Sequence, residues 1–385
     1  MMDYRFVVRR GGTLFALVAM AAAVACGGGA EMAPADDAAM AEPMGNADLV
    51  QRNLPNPTSD VLTQWAELPD DRTWGSTAGI DIDPTDGHVW VYDRCGANGL
   101  DGGCAANPTV DPILKYDRNT GELLASFGAG LFVLPHGLHV DDDGNVWVTD
   151  SQGNDEIGHQ VFKFSPEGEV LMTLGVAGEP GSDPEGRHLN EPCDVVTWGP
   201  TGEIFVSDGH SGQNPDPPEG RTGRILKYDA EGNFIKQWGE IGFRPGQFRT
   251  PHGVEFDSQG RLFVADRGNH RIQIFDREGE LLDIYYQFSR ISGLFITADD
   301  TLYAIDSEST ERNHYGWMNG VRIGSAGEDR VTGFIPPHIP SEGRVLQGLA
   351  GEGIAVDEDG NVFVAEGPAS RPFAGGGLTK YPVAN

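Results

Sequence analysis

The sequence of 385 residues predicts an all-β fold, a six-bladed β-propeller closed by an N-terminal outer strand. Three observations favour this fold. A phrase of strand, Asp/Gly turn and strand occurs six times, a third and a fourth strand follow most copies, and successive phrases start 40 to 60 residues apart. Four strands per unit in six consecutive units are typical of a propeller.

The six phrases share one pattern, as in HGLHVDDDGNVWVTDS and HGVEFDSQGRLFVADR. Apolar residues alternate on both sides of the turn, which predicts a hairpin buried between neighbouring blades. Segments such as RILKYDAEG and NFIKQWG supply the third and fourth strands. The phrases begin at Ala78, His136, Cys193, His252, Ser292 and Glu352.

The two ends of the predicted propeller indicate how the ring closes. The last unit ends at GLTKYPVAN, which provides a third strand and no fourth, while the segment VLTQWAEL from Val61 precedes the first unit without a partner. We expect this N-terminal segment to complete the last blade, because closure removes the open edges of a sheet.

Residues 1–25 are predicted to be a lipoprotein signal peptide. Arginines precede an apolar stretch from Leu14 to Val24 that is short for a membrane span, and small residues then lead to Cys26. This resembles the lipobox of bacterial lipoproteins, with Cys26 as the lipidated first residue; an ordinary signal peptide with a chance cysteine is the alternative. Gly27 favours anchoring at the outer membrane of the cell envelope, by resemblance to Gram-negative lipoproteins.

Composition separates a linker from the propeller. Residues 26–57 are rich in Gly, Ala, Pro and acidic residues and cannot bury a core, so they are predicted to be a flexible tether before a propeller at 58–385. The net charge of −31, from 27 basic and 58 acidic residues, argues against nucleic acid as a partner. We expect a monomer that meets a membrane only through Cys26.

Three further cysteines lie in the predicted propeller. Cys95 and Cys104 share one Gly-rich loop and, in an oxidising envelope, are predicted to form a disulfide. Cys193 begins a strand on the axis, where it is either inert or a further metal ligand.

The first residue of each phrase takes an equivalent place at the central axis, and metal-type ligands occur on alternate blades as His136, His252 and Glu352. In a six-bladed ring these blades are related by rotations of about 120°, so the three side chains can converge. Three ligands with open positions are typical of a catalytic metal site, and two imidazoles with a carboxylate suit Zn²⁺ or Fe²⁺. The alternative is a set of polar residues that hold water in the pore.

The second strand of each unit ends in an acidic residue, which we interpret as a cap of the following turn. Arginine follows this acid only twice, as Arg94 and Arg267, so the blade itself does not require it. Two guanidinium groups near a metal predict an anionic ligand, with an ion pair to the repeated acids as an equal alternative. The Pro/Gly-rich loop 210–223 is either a lid or a loose connection. The histidines expected at the surface are His139, His159, His270 and His314.

At this point the residues resemble a known family. The segments LFVLPHGLHVDDDGNVWVTD, RPGQF with TPHGVEF, and VADRGNHRIQIF are similar to NHL-repeat propellers, and within them to the peptidyl-α-hydroxyglycine α-amidating lyases. The resemblance covers nearly all of residues 75–385, and its motifs are more specific than those of a generic blade.

The resemblance implies two metal ions. A zinc ion would be bound by His136 and His252, with the third histidine of the family replaced by Glu352. A structural calcium ion on the axis would be held by the backbone carbonyls of Ile80 and Leu138, although the acidic calcium ligand of the family falls on a glycine in this chain.

The resemblance also implies a reaction. Arg94 and Arg267 match the family's substrate-facing arginines, and its catalytic tyrosine falls on His210. The metal would polarise the hydroxyl group of a hydroxyglycine, a base would take its proton, and C–N scission would release glyoxylate and an amide. His210 is expected to be that base, with a pKa near neutrality, or Glu352 if no metal binds.

The leading hypothesis is a metal-dependent carbon–nitrogen lyase that acts on a small anionic or peptide-derived substrate. A non-catalytic, lipid-anchored propeller that binds protein or glycan in the envelope is a second hypothesis, because a fold alone does not carry a function. A lactone-opening enzyme centred on calcium is a third, and would need more axial carboxylates than Glu352.

Overall fold

Six antiparallel sheets follow one another in the described part of the chain, each built from consecutive strands, as the repeated phrases predict. The structure, a computed structural model, describes residues 53–69, 72–96, 103–214, 217, 219–310, 312–340, 348–374 and 377–384. The predicted signal peptide, Cys26 and the predicted linker before residue 53 lie outside these residues.

The strands group into blades of four, with three in the last. Blades one to three contain β1 Thr77–Ile82, β2 Val89–Asp93, β3 Ile113–Tyr116, β4 Leu123–Phe127; β5 Pro135–Val140, β6 Val146–Gly153, β7 Gly158–Phe164, β8 Val170–Leu174; and β9 Pro192–Trp198, β10 Glu203–Asp208, β11 Arg224–Tyr228, β12 Phe234–Trp238. Blades four to six contain β13 Pro251–Phe256, β14 Leu262–Asp266, β15 Arg271–Phe275, β16 Leu281–Tyr285; β17 Ile291–Ile296, β18 Thr301–Asp306, β19 Gly320–Ser325, β20 Val331–Ile335; and β21 Gly353–Val356, β22 Val362–Ala365, β23 Leu378–Tyr381.

The first strands of the blades form a closed ring around the central axis. β1 contacts β5, and the contacts continue through β9, β13 and β17 to β21, which contacts β1 again. This arrangement confirms the six-bladed propeller predicted from the repeats.

Glycine allows these inner strands to approach one another closely. The second residue of five phrases is glycine, and a Cβ atom at Gly79 or Gly293 would lie 2.7 or 2.8 Å from the carbonyl oxygen of the first residue of the next phrase. At Gly353 the corresponding distance, to the oxygen of Ala78, would be 2.0 Å. The first residues of successive phrases are therefore held near the axis.

The N-terminal segment closes the ring, as predicted, but pairs at separate positions instead of forming a continuous strand. Leu62 and Lys380 exchange two backbone hydrogen bonds of 2.8 and 2.9 Å, and Thr58 pairs with Val383. The segment also reaches blade five, because the backbone N–H of Phe334 donates to the carbonyl of Pro55. The contacts of the propeller thus begin before residue 58, the boundary predicted from composition.

The core lies between neighbouring blades. Trp90 and Tyr92 of blade one pack with Phe162 and Phe164 of blade two in one buried cluster, and similar clusters join the other blades. Burial of each large apolar side chain contributes about 1.5–3 kcal/mol to folding, so the blades stabilise one another through these faces.

The two faces of the ring differ in the length of their connections. On one face the strands are joined by turns of four to six residues, such as 141–145, where Asp141 accepts hydrogen bonds from the backbone N–H groups of Asp143 and Asn145. The other face carries the long connections 94–112, 175–191, 209–223, 239–250, 307–319 and 336–352.

The face with the long connections also carries the short helices and the predicted disulfide. Cys95 and Cys104 are bonded, which confirms that prediction. The helices are the 3₁₀ turns Gly103–Ala106, His210–Gln213 and Arg267–Asn269 and the α-helix α1, Arg371–Ala374. Among the described residues, no helix has the length and apolar character needed to cross a membrane.

Candidate functional site

His136 and His252 occupy equivalent places at the start of the inner strands, buried at 2% and 4% exposure. His136 Nδ1 lies 2.7 Å from the carbonyl oxygen of Cys193, and His252 Nδ1 lies 2.8 Å from that of Ser292. A carbonyl can only accept, so each Nδ1 carries the hydrogen and each Nε2 presents a lone pair to the axis. Backbone partners fix metal-binding histidines in this same way.

The Nε2 atoms face a carboxylate instead of a donor. Both are buried and find no hydrogen-bond partner in the described part of the chain, and His252 Nε2 lies 3.4 Å from Glu352 Oε1. Burial, followed by the nearby Arg267, lowers the pKa of His252, so its ring is neutral at neutral pH. Two buried acceptors that face each other are stabilised by a cation between them. The residues therefore fit a metal ion.

Glu352 joins the histidines to two arginines. Its carboxylate lies 3.3 Å from Arg267 Nη1 and 4.0 Å from Arg94 Nη2, and Oε2 is buried with no hydrogen-bond partner among the described residues. Although burial opposes ionisation, the neighbouring His252 and the charge of Arg94 hold the pKa of Glu352 well below its usual range. Glu352 is thus a carboxylate.

His210 completes a group of four metal-type side chains. One ligand atom each from His136, His210, His252 and Glu352 lies within 4.8 Å of the others. The expectation of a pKa near neutrality for His210 is wrong: burial, followed by the neighbouring His136 and Arg267, lowers it well below the ordinary value. The sequence could not show this, because the neighbours come from other blades.

Arg94 and Arg267 are buried beside the four side chains. Arg94 Nε donates to the carbonyl of Pro135 at 3.0 Å, and Arg267 Nη1 also lies 3.7 Å from Glu308. Both arginines therefore pair with glutamates at the site, and not with the acids that end the second strands.

The repeated acids act as caps, but in blades two to four they cap the connection that precedes the blade, whereas the following turn was predicted. The carboxylate of Asp150 accepts the backbone N–H groups of Val133 and Leu134 at 2.8 and 2.6 Å. Asp208 and Asp266 accept equivalent N–H groups in blades three and four. These carboxylates tie each blade to the connection that precedes it.

Two charged residues at the site, Arg290 and Glu308, were not predicted from the sequence. Arg290 Nη2 lies 2.9 Å from Glu308, and Arg290 Nη1 donates to the carbonyl of Arg267. Glu308 stands two residues after the repeated acid of blade five, and His210 stands two residues after that of blade three. This equivalent position in the repeat could have identified Glu308 as a site residue. With Arg290 included, three guanidinium groups face the carboxylates of Glu352 and Glu308, which leaves the site positive within an acidic protein.

A narrow cavity of about 50 Å³ continues along the axis below this site. Ile80, Leu138 and Gly353 line it, and a calcium ion bound to the first two stays a prediction. His139 also lines the cavity, with Nδ1 3.4 Å from Asp81, so its expected surface position is wrong.

The other histidines expected at the surface are also partly or fully enclosed. His159 is buried at 7% exposure, while His270 and His314 stack with ring centres 4.1 Å apart. Cys193 is buried and lies outside the group of four ligand atoms; its sulfur contacts the carbonyl of Glu191.

Fold and site together define a six-bladed β-propeller with a buried His/Glu cluster on its axis. Residues 248–275 match the NHL repeat family. The chain is 34% identical over 340 residues to peptidyl-glycine α-amidating monooxygenase B of Xenopus laevis, which covers 81% of this chain and 36% of that protein. It is 30% identical over 277 residues to peptidyl-α-hydroxyglycine α-amidating lyase 1 of Drosophila melanogaster, covering 66% of this chain and 46% of that protein.

The chain thus has homologues named for α-amidation but spans less than half the length of these two curated relatives. Among solved structures, a gluconolactonase of Xanthomonas campestris superposes with a TM-score of 0.55 at 16% identity, over 86% of this chain and 95% of that one. This likeness shows the propeller fold alone.

Proposed function

We propose that the protein is a metal-dependent lyase that cleaves the C–N bond of an α-hydroxyglycine-type carbinolamide, giving an amide and glyoxylate. The observation that carries this proposal is the pair of buried Nε2 lone pairs of His136 and His252 opposite the Glu352 carboxylate. The relatives named for α-amidation support the choice of reaction.

His136, His252 and Glu352 would hold the ion, with Zn²⁺ favoured and Fe²⁺ also compatible with these ligands. When bound, the ion would polarise the hydroxyl group of the substrate. The same residues keep water out, because the three side chains are at least 95% buried.

The arginines would bind the carboxylate of the substrate. Arg94 and Arg267 are held in place by the backbone and by Glu352, and a planar guanidinium group suits a carboxylate. Because Glu352 and Glu308 balance only two of the three guanidinium charges, the site favours an anion even before a divalent cation adds to the positive charge.

His210 would take the hydroxyl proton. Its neutral imidazole carries a lone pair at Nε2, which lies 3.4 Å from Arg267 Nη2, and its ring lies 4.9 Å from that of His136, centre to centre. As the O–H proton moves to His210 Nε2, the C=O bond of glyoxylate forms and the C–N bond breaks. The leaving nitrogen then takes a proton and departs as the amide, so atoms and charges balance.

The test combines metal content with glyoxylate release by the purified full chain, using an N-acyl-α-hydroxyglycine. We expect about one Zn or Fe ion per chain and release of glyoxylate, both lost in His136→Ala and both kept in His139→Ala, which changes a histidine elsewhere on the axis. A wild-type protein without bound metal, or one with metal that releases no glyoxylate, would overturn the proposal.

A second candidate is a non-catalytic binding protein. The large aromatic residues Phe243, Tyr286, Tyr315 and Phe373 are exposed and lie in connections on the face of the site, where they could contact a partner. This candidate predicts that binding of an envelope protein or glycan survives His136→Ala and is lost on Tyr315→Ala.

The cellular setting is also proposed. A lipid on Cys26 would tether a monomeric propeller to the cell envelope, with the outer membrane favoured. Metabolic labelling with a radioactive fatty acid, compared between wild type and Cys26→Ala, tests this anchor.

A further inference from the structure

We propose that His210 is itself a ligand of the ion, so that the protein supplies three imidazoles and one carboxylate. This inference rests on the metal site of the proposed function and extends it. It concerns a residue in a connection between strands, whereas His136, His252 and Glu352 stand at the inner strands.

The spacing of the three imidazole rings supports a common ion. The ring centres of His136, His210 and His252 lie 4.6, 4.9 and 5.5 Å apart. Two imidazoles bound to one tetrahedral ion at about 2.0–2.1 Å per nitrogen have ring centres about 5 Å apart. The three rings already have this spacing, and the fourth ligand atom, from Glu352, lies within 4.8 Å of the others.

The backbone around His210 is fixed by the connections that precede blades three and four. The N–H of His210 donates to the carbonyl of Glu191 at 3.2 Å, and its carbonyl accepts the hydroxyl of Thr250 at 2.7 Å. The next N–H, of Ser211, donates to the Glu191 carboxylate at 2.8 Å. Glu191 and Thr250 both have positive φ, of 65° and 75°, a strained conformation that tends to occur at functional sites.

Gly209 permits this turn. Its φ is 131°, and a Cβ atom there would lie 2.1 Å from the carbonyl oxygen of Thr222. The chain therefore uses a glycine where a side chain would collide with the backbone of Thr222.

The Nε2 atom of His210 carries a lone pair and not a hydrogen. It lies 3.4 Å from Arg267 Nη2, and because a guanidinium group can only donate, Nε2 presents its lone pair on this side. A contact of 3.4 Å is a long hydrogen bond, which an ion can replace.

This assignment has a consequence for the reaction. The single lone pair of Nε2 cannot bind the ion and accept a proton at the same time. In the resting protein His210 would help to hold the ion, and it could serve as a base only when it is not a ligand.

The test counts imidazole ligands in the full chain loaded with Zn²⁺ by X-ray absorption, and measures Zn²⁺ affinity by competition with a chelator. We expect three imidazoles in the wild type and two in His210→Ala and His210→Gln. We also expect the affinity of both variants to fall by more than the ~10–100-fold that loss of an outer partner costs. His139→Ala is the matched control and should keep three imidazoles and the wild-type affinity.

Two imidazoles in the wild type, or unchanged affinity in both His210 variants, would refute the assignment even if glyoxylate is released. Conversely, three imidazoles in a protein that releases no glyoxylate would uphold the assignment and refute the proposed reaction. Circular dichroism of each variant verifies folding, and the glutamine variant provides a second reading if the alanine variant does not fold.

Discussion

The single residue with most influence on the site is Glu352. It is the one carboxylate among the four clustered ligand atoms, and it also pairs with Arg94 and Arg267. A histidine at this place would add a neutral ligand, whereas Glu352 adds a negative charge that both the arginines and a cation can share.

Glu352→Gln keeps the size of the side chain and removes its charge. We expect Zn²⁺ affinity, measured by chelator competition, to fall by more than ~100-fold, because an amide is a poorer ligand and the arginines then face the ion unopposed. Glu308→Gln is the matched control, because Glu308 also lies beside Arg267 but outside the cluster of four ligand atoms. The Zn²⁺ affinity of this variant should differ from that of the wild type by less than ~10-fold. Equal losses in both variants would contradict a ligand role for Glu352.

The sequence predicted which residues lie at the site better than it predicted which side chains surround them. His136, His252 and Glu352 could be found because the repeat aligns them. The low pKa of His210 and the presence of Arg290 depend on side chains brought together from different blades, and no repeat records those contacts. The position of His139 was predicted wrongly although the repeat aligns it with Asp81 and Glu255, which line the same cavity.

Among the elements, the inner strands depend on the glycines that begin them. Gly293 packs against the carbonyl of Glu352, and Gly253 against that of Ser292, which also accepts the hydrogen bond of His252. The glycines therefore set both the closeness of the strands and the orientation of a histidine. The sequence showed these glycines within the phrases, but their role emerges only from the distance between neighbouring strands.

Gly293→Ala places a methyl group 2.8 Å from the carbonyl oxygen of Glu352. Because the neighbour is backbone and cannot move aside, we expect the free energy of unfolding in urea to fall by about 1–3 kcal/mol. Gly327→Ala, in a turn with open space around it apart from the Ser325 side chain, should change it by less than ~0.5 kcal/mol. If the two variants were equally stable, close packing at the axis would not depend on Gly293.

The whole molecule depends on the contacts between its two ends. The sequence predicted that the N-terminal segment completes blade six, because the last unit lacks a fourth strand. It could not predict the additional contact with blade five, in which Pro55 accepts the N–H of Phe334, since composition assigned that segment to the linker.

Leu62→Pro removes the N–H that donates to Lys380 in this closure. We expect the free energy of unfolding in urea to fall by about 1–2 kcal/mol, because one hydrogen bond is lost and the carbonyl of Lys380 is left unpaired. Leu62→Ala keeps both backbone hydrogen bonds and should lower the free energy of unfolding by less, because the Leu62 side chain is partly exposed. Equal stability of the two variants would show that the backbone pairing contributes little.

Stability should also depend on pH through buried carboxylic acids. Burial raises the pKa of Glu255 to about 8, with Asp81 and Asp194 adding to the effect and His139 opposing it. It raises the pKa of Asp150 to about 7. Such groups bind more protons in the folded than in the unfolded chain, so the stability that they contribute is present below about pH 4 and is lost as the pH rises through 7–8.

Histidines with lowered pKa values act in the opposite direction at lower pH. Burial lowers the pKa of His159 and His338 to about 4, so their contribution is lost as the pH falls from about 6.5 towards 4. Above pH 6.5 the buried carboxylic acids Glu255 and Asp150 determine how the free energy of unfolding changes with pH. We expect the free energy of unfolding in urea to be lower at pH 8.5 than at pH 6.5.

Glu255→Gln should reduce this loss between pH 6.5 and 8.5, and Glu167→Gln, which changes an exposed carboxylate, should leave it unchanged. An identical slope in Glu255→Gln and the wild type would exclude Glu255 as a source of the pH dependence.

The pairing of the two chain ends also sets a time order for biosynthesis. The N–H of Ser59 donates to the carbonyl of Pro382, 323 residues later. At about 5–20 residues per second, the N-terminal segment waits for about 15–65 s before its partner strand is made. Blades one to five can form during this interval, but the ring can close only after β23 has been made. A nascent chain that stalls before β23 would expose an open sheet edge to chaperones and proteases.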